Sequence, residues 1–179
     1  MTGPEVSKVL KTCNAAREWL LANTQFLGIT AVVLVVMHPA QFQVGVSMLQ
    51  KVKANPHLLW EPGHFVHVLK TWCIPFSGVS IMGNWETIYH WDVSGSLHWY
   101  DVLATMGQYA GTKFHLPSLN VAFSYTPGTI IAIARKLLPH SIDSVEVGDR
   151  VCFAWFLLHE QLNPGYTLLV LRLIIFSTI

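Results

Sequence analysis

The spacing of apolar positions divides the chain into a helical N-terminal part and a strand-rich remainder. From Pro4 to Asn23, apolar residues recur at steps of three and four, which predicts an amphipathic helix. The continuous β-branched run Ile29 to Val36 predicts a strand buried on both sides. A second helix is predicted from about Pro39 to Lys53, with an inner face made by Phe42, Val46 and Leu49.

From about Trp72 onward, short apolar runs alternate with turns. One helix is predicted to interrupt them at Trp99 to Met106. The predicted strands are Val79 to Met82, Thr87 to Trp91, Lys113 to Leu116, Val121 to Tyr125, Thr129 to Ala134 and Val151 to Leu157. Many short strands with Gly and Pro at the corners are typical of a sandwich or barrel. The sequence therefore predicts an α+β fold in which N-terminal helices pack on a β-barrel of jelly-roll type.

The length of 179 residues is about that of one domain. We expect a single domain over 1–179, with a helical layer at about 1–56, a β core at about 72–160 and an apolar tail at 161–179. We expect the tail to be a truncated or diverged end. Apolar residues make up 52% of the chain, but the runs Gly28 to Met37 and Tyr166 to Ile179 are shorter than the roughly 20 residues of a membrane-spanning helix. We therefore expect no membrane partner.

Charge and cysteine content narrow the functional classes. Lys and Arg number 11 against 10 Asp and Glu, so the net charge of +1 gives no global attraction to polyanions. The three cysteines, Cys13, Cys73 and Cys152, are widely spaced, which argues against a disulfide framework or a thiolate zinc site and favours an intracellular location. The sequence contains neither a Gly-x-Ser-x-Gly elbow nor a phosphate-binding glycine loop, which argues against a serine hydrolase and a P-loop enzyme.

His90, Asp92 and His140 are the candidate metal ligands. Residues i and i+2 of a strand point to the same side, so His90 and Asp92 can face a barrel interior while Trp91 faces away. Two imidazoles and one carboxylate are the ligand set that holds non-haem Fe(II) in oxygenases and leaves open positions for cosubstrate and O2. The alternative is a core histidine that is hydrogen-bonded to a nearby carboxylate.

Arg150 suggests the cosubstrate. A guanidinium matches the geometry of a carboxylate, so an arginine soon after the last iron ligand is where a 2-oxoglutarate enzyme would bind the distal carboxylate of its cosubstrate. Arg150 shares a strand side with small apolar residues, and burial of an unpaired arginine there is costly. A bound dicarboxylate would supply its partner. His64 and His67 could form a second metal pair if they lie one helical turn apart, but no third ligand is evident.

Several motifs around these residues resemble the fungal branch of the TET/JBP oxygenases. They are Asn84 to Asp92, Trp99 to Leu103, Leu116 to Leu119, Tyr125 to Thr129, Leu137 to His140 and Gly148 to Cys152. The helix after His38-Pro39 also resembles that branch, so the match covers roughly His38 to Leu157. It is specific because independent motifs occur in the right order.

The resemblance implies a double-stranded β-helix enzyme that uses Fe(II), O2 and 2-oxoglutarate to oxidise the methyl group of 5-methylcytosine or thymine in DNA, with the target base flipped out of the duplex. It places His90, Asp92 and His140 on the iron ligands and Arg150 on the 2-oxoglutarate anchor. It places Asn84 and Thr87 in a substrate-binding motif along the approach to the active site. It also implies a nuclear location, and no obligate protein partner is evident.

Trp85 and Trp91 depart from the family pattern, which commonly has arginine at both positions. Two positive charges near the mouth of the site are therefore absent, and this weakens the expectation of phosphate contacts there. Two other functions stay open. The chain could be a degenerate member that acts as a binding or interaction module, or it could be an oxygenase that acts on a small molecule or an RNA base.

Overall fold

The chain forms two compact units, Met1–Gly78 with Leu157–Leu173 and Val79–Phe156 with Ile174–Ile179. The computed structural model describes residues 5–6, 8–12, 14–55, 68–92, 97–157 and 170–177. The predicted metal pair His64 and His67 lies outside the described residues. In the first unit, strand β1 (Glu5–Val6) runs parallel to the start of strand β10 (Val170–Ser177), so β10 falls within the predicted apolar tail.

The helices of the first unit are α1 (Lys8–Thr12), α2 (Asn14–Ala22), α3 (Thr24–Met37) and α4 (Pro39–Ala54). The first predicted helix corresponds to α1 and α2. The strand predicted at Ile29 to Val36 is wrong, because these residues lie within α3. A continuous apolar run carries no periodicity that separates a buried strand from a helix, and the helix penalty of Val and Ile is below about 1 kcal/mol per residue.

Helix α4 confirms its prediction and has local signals at both ends. Pro39 occupies the first turn, and the Nδ1 atom of His38 accepts a hydrogen bond from the Gln41 backbone N–H at 3.1 Å. Lys51 and Lys53 lie in the last turn, where positive charges interact favourably with the helix dipole and stabilise the helix.

The buried face of α4 differs from the predicted face. Leu49 is buried as expected, but Phe42 and Val46 are only half-buried. The buried positions are Gln41, Gly45, Met48, Leu49 and Val52. Gly45 explains the shift, since a Cβ atom there would lie closer than 3.0 Å to the backbone oxygen of Pro75. The helix therefore turns its glycine toward that backbone.

No single helix among the described residues is long and apolar enough to cross a membrane. Helices α2 and α3 meet the length and composition criteria only as a pair, and that pair is bent by 66°.

The second unit contains two antiparallel sheets. The strands are β2 (Gly78–Gly83), β3 (Thr87–His90), β4 (Asp101–Ala110), β5 (Lys113–Leu116), β6 (Val121–Ser124), β7 (Ile130–Ile133), β8 (His140–Ile142) and β9 (Val147–Phe156). One sheet has the order β2, β9, β4, β7, and the other has the order β3, β8, β5, β6. The predicted α+β fold class with a jelly-roll type of core is confirmed.

The helix predicted at Trp99 to Met106 is wrong, because the chain there forms β4. β4 pairs with β7 on one edge and with β9 on the other, from Val102 opposite Trp155 to Ala110 opposite Val147. Leu, Ala and Met favour helices in isolation, but pairing on both edges overrides that preference. β8 was also missed, and β9 begins before its predicted start.

One hydrophobic core joins the strands of the second unit. Its members come from β4, β5, β7, β8 and β9 and from the end of β6: Leu103, Phe114, Tyr125, Ile133, Ile142, Cys152 and Ala154. Phe114 and Tyr125 are fully buried. Phe114 contacts His140, and Tyr125 contacts Arg150.

Candidate metal centre

The structure brings His90, Asp92 and His140 together. His90 ends β3, Asp92 follows two residues later, and His140 begins β8 opposite His90 in the antiparallel register. The three potential ligand atoms all lie within 4.8 Å of one another. Nε2 of His90 is 3.5 Å from Oδ1 of Asp92, and the two imidazole centroids are 4.5 Å apart. Three donors at these separations can hold one metal ion.

Backbone hydrogen bonds fix the tautomer of both histidines. Nδ1 of His90 lies 2.8 Å from the carbonyl oxygen of Ile88, and Nδ1 of His140 lies 3.1 Å from that of Leu138. A carbonyl oxygen only accepts, so each Nδ1 must carry the proton and donate it. In the neutral form of such a ring, the lone pair is then on Nε2. This is the arrangement that metal-binding histidines use.

Burial favours the neutral form of His140. Its side chain is stacked on the ring of Phe114 with centroids 5.5 Å apart and planes 6° apart, and it is almost fully buried. Desolvation by this burial lowers the pKa of His140 below its usual value. A neutral imidazole is the form that binds a metal. His90 and Asp92 are half-buried, so the cluster has one covered side and one open side.

Arg135 is a neighbour that the sequence analysis did not identify. Its Nη1 lies 2.6 Å from Oδ2 of Asp92, as an ion pair without good hydrogen-bond geometry. Its Nε donates to Oδ2 of Asp101 at 2.5 Å. Asp101 begins β4 and is buried, and this burial raises its pKa against the opposing effect of Arg135. No sequence motif marks Arg135, because it acts through contacts between separate strand ends.

Arg150 is a buried cation without a carboxylate partner among the described residues. It lies in β9 and is 1% exposed. Its guanidinium donates to the backbone carbonyl of Trp85 and, at 3.4 Å, to that of Asp143, while its Nε has no hydrogen-bond partner. These contacts leave the charge itself unpaired. Such a site favours an anionic ligand.

A row of aromatic contacts connects Arg150 with the histidine cluster. The guanidinium carbon lies 5.9 Å from the ring centroid of Tyr125. Tyr125 packs edge-on against Phe114 at 5.6 Å, and Phe114 is stacked on His140. The hydroxyl of Tyr125 is 3.3 Å from Sγ of Cys152, and burial raises the pKa of both groups. Two aromatic residues of the core, Tyr125 and Phe114, therefore connect Arg150 with His140.

Asn84 holds the backbone next to Arg150. It adopts a left-handed conformation with φ of 50°. Its Oδ1 accepts from the Arg150 N–H at 2.7 Å, and its Nδ2 donates to Oδ1 of Asp149 at 2.9 Å. Thr87, the other predicted substrate-binding residue, pairs with Ile142 at the start of β3 and is half-buried.

Gly107 in β4 lies directly opposite Arg150 in β9. Its φ of 126° is rarely available to other residues, and a Cβ atom there would lie closer than 3.0 Å to the backbone oxygen of Asp149. This close approach needs glycine.

Trp85 and Trp91 expose their side chains beside these residues, with 38% and 55% of each residue accessible. The ring of Trp91 lies 5.9 Å from that of Tyr89. His115 forms a separate histidine–carboxylate pair with Asp143 at 2.8 Å, outside the three-residue cluster. Exposed aromatic rings therefore lie at positions adjacent in sequence to Asn84, His90 and Asp92.

Two antiparallel sheets that hold two histidines, one carboxylate and a nearby buried arginine define an Fe(II)- and 2-oxoglutarate-dependent oxygenase. The comparison with protein families agrees: Tet_JBP, the oxygenase domain of the 2OGFeDO superfamily, matches residues 6–159. The chain belongs to this family and is a 2-oxoglutarate-dependent dioxygenase. No curated protein matches the chain.

The residues present fit the two groups that this superfamily uses, Fe(II) and 2-oxoglutarate. The Nε2 atoms of His90 and His140 and a carboxylate oxygen of Asp92 are suitable donors for Fe(II). The unpartnered Nε of Arg150 is suited to a carboxylate of the cosubstrate. The predicted enzyme class and cofactors are thereby confirmed.

Proposed function

We propose that this dioxygenase oxidises the methyl group of 5-methylcytosine or thymine in DNA. The observation that carries the proposal is the convergence of His90, Asp92 and His140, which ring contacts connect to the buried, unpaired guanidinium of Arg150. Membership in the Tet_JBP family and the motifs from Asn84 to Cys152 support DNA as the substrate class. An intracellular and nuclear location belongs to the same proposal.

In this proposal His90, Asp92 and His140 hold Fe(II), and Arg150 binds the distal carboxylate of 2-oxoglutarate. The iron, when bound, supplies the activation of O2 that couples oxidation of 2-oxoglutarate to oxidation of a methyl group. The protein holds the metal-binding side chains in position. The carbonyl groups of Ile88 and Leu138 hold the two imidazoles in one tautomer, which costs no rearrangement when the metal binds.

The substrate base has to leave the duplex to reach this centre, because the methyl group of a stacked base is out of reach of the site. We propose that Asn84 and Thr87 line its approach. The exposed rings of Trp85 and Trp91 can stack on bases, whereas the arginines common in the family would pair with phosphates. DNA contacts near the mouth would therefore depend more on stacking than on charge.

The test is an assay of the purified protein with Fe(II), 2-oxoglutarate and three matched DNA duplexes. The first contains 5-methylcytosine, the second has cytosine in its place, and the third also has uracil in place of thymine. Succinate release and the oxidised nucleosides are measured by mass spectrometry. We expect oxidised 5-methylcytosine from the first duplex, oxidised thymine from the first two if thymine is a substrate, and neither from the third.

His90→Ala and His115→Ala form a matched pair for this assay. Both histidines lie in the same sheet with side chains 31% exposed, and each lies near an aspartate, but only His90 belongs to the cluster. We expect His90→Ala to abolish succinate release and His115→Ala to retain it. Equal release from the two variants would show that the iron is held elsewhere. Succinate release by the wild type without any oxidised nucleoside would overturn DNA as the substrate and leave the enzyme class intact.

A further inference from the structure

Arg135 lies between two carboxylates at the edge of the metal-binding cluster. It follows β7 by two residues, and its backbone N–H donates to the Ile133 carbonyl at 3.1 Å. Its guanidinium contacts Oδ2 of Asp92 through Nη1 and Oδ2 of Asp101 through Nε. Two different nitrogens of one planar group therefore connect two strand ends.

The backbone adds a further connection between Arg135 and Asp92. The Asp92 N–H donates to the carbonyl oxygen of Arg135 at 3.4 Å. Asp92 lies beyond the end of β3, so these contacts replace the strand pairing that would otherwise hold it. On the other side, Asp101 belongs to β4, which is paired on both edges. Arg135 thus ties a residue outside any strand to a central strand.

The contacts also distinguish the two oxygens of Asp92. Oδ2 is taken by Arg135, whereas Oδ1 lies 3.5 Å from Nε2 of His90. The guanidinium thus leaves Oδ1 as the oxygen that faces the histidine ligands. Asp101 places a second carboxylate against the same guanidinium, on the side away from Asp92 Oδ1.

We propose that Arg135 is a positioning residue, which orients Asp92 so that a single oxygen, Oδ1, binds the metal, and that Asp101 holds Arg135 in place. This inference rests on the proposed metal site at His90, Asp92 and His140. Its consequence is that metal affinity depends on two residues that do not bind the metal. Partners of this kind typically change metal affinity by about 10- to 100-fold when they are removed.

The experiment measures binding of Mn(II) and Co(II) to the full chain under anaerobic conditions, without substrate. The variants are Arg135→Gln, Arg135→Lys and Asp101→Asn. Arg17→Gln is the control because Arg17 lies on α2 in the first unit, where its guanidinium donates to Asn14. Mn(II) affinity is titrated by electron paramagnetic resonance. The visible spectrum of bound Co(II) reports a change in carboxylate coordination, and thermal unfolding checks that each variant is folded.

We expect Arg135→Gln to weaken Mn(II) binding by about tenfold or more and to change the Co(II) spectrum. Arg135→Lys should restore part of the affinity, because it keeps the charge but not the planar fork. Asp101→Asn should weaken binding less than Arg135→Gln, and Arg17→Gln should match the wild type. If Arg135→Gln fails to fold, the other two variants decide the question by the same criteria.

Two failures are distinguishable. If the wild type binds Mn(II) and His140→Ala does not, but all the Arg135 and Asp101 variants bind like the wild type, the role of Arg135 is overturned and the metal site stands. If the wild type itself binds no Mn(II), the proposed metal site fails, and the role of Arg135 fails with it.

Discussion

At the residue scale, Arg150 shows how a buried charge can prepare a binding site. Two backbone carbonyls satisfy part of its guanidinium, but carbonyl dipoles do not neutralise a full charge. Removal of an unpaired ion from water costs several kcal/mol, and an anionic ligand can offset that cost. The guanidinium lies over the ring of Tyr125, and Asn84 accepts a hydrogen bond from the backbone N–H of Arg150, so the residue is held in place before any ligand binds.

Arg150→Lys should raise the KM for 2-oxoglutarate by about tenfold, which corresponds to about 1.4 kcal/mol, with a smaller effect on kcat. Lysine keeps the charge but loses the fork that matches a carboxylate. The measurement is the initial rate of succinate release at varied 2-oxoglutarate concentration. Arg17→Lys is the control and should leave the KM unchanged. An unaltered KM in Arg150→Lys would show that the distal carboxylate binds elsewhere.

Most residues of the candidate site could be found from the sequence, because two imidazoles, a carboxylate and an arginine form a recognisable ligand set within motifs that resemble a known family. His90 and Asp92 follow the two-residue period of a strand. The role of Arg135 could not be found, since Arg135 meets Asp92 and Asp101 only through contacts between separate strand ends. Contacts of that kind have no counterpart in local sequence.

At the element scale, local signals decided which predictions were right. α4 has a capping residue and a proline at its start, and β5 agrees with its predicted bounds. The predictions for the segments that form α3 and β4 were wrong, because the secondary structure of these segments depends on tertiary contacts. A short apolar run satisfies several structures equally well, and only the partner element selects among them.

Two helical glycines provide a matched test of these elements. A Cβ atom at Gly45 would lie closer than 3.0 Å to the Pro75 backbone, whereas nothing lies within 4 Å of such an atom at Gly28 in α3. We expect Gly45→Ala to lower the free energy of unfolding by about 1–3 kcal/mol and Gly28→Ala to raise it by about 0.5–1 kcal/mol. Urea unfolding measures both. A destabilised Gly28→Ala variant would contradict the helical state of α3.

At the scale of the whole molecule, ligand binding should be visible as stability. A ligand at 100 times its Kd stabilises the folded state by about 2.7 kcal/mol. For a chain of this size, that corresponds to a rise in Tm of about 5–10 °C. We therefore expect Mn(II) with 2-oxoglutarate to raise the Tm of the wild type in a thermal shift assay. His140→Ala should show no such rise, and an equal shift in both proteins would place the ligands outside the proposed site.

Strand β4 supports both parts of the site. Its first residue, Asp101, anchors Arg135 next to the metal-binding cluster, and its seventh, Gly107, lies against Arg150. A mutation that disturbs this strand would therefore impair both the metal-binding cluster and the site at Arg150. A substitution of the exposed rings of Trp85 or Trp91 would instead change the surface next to the site and leave this strand intact.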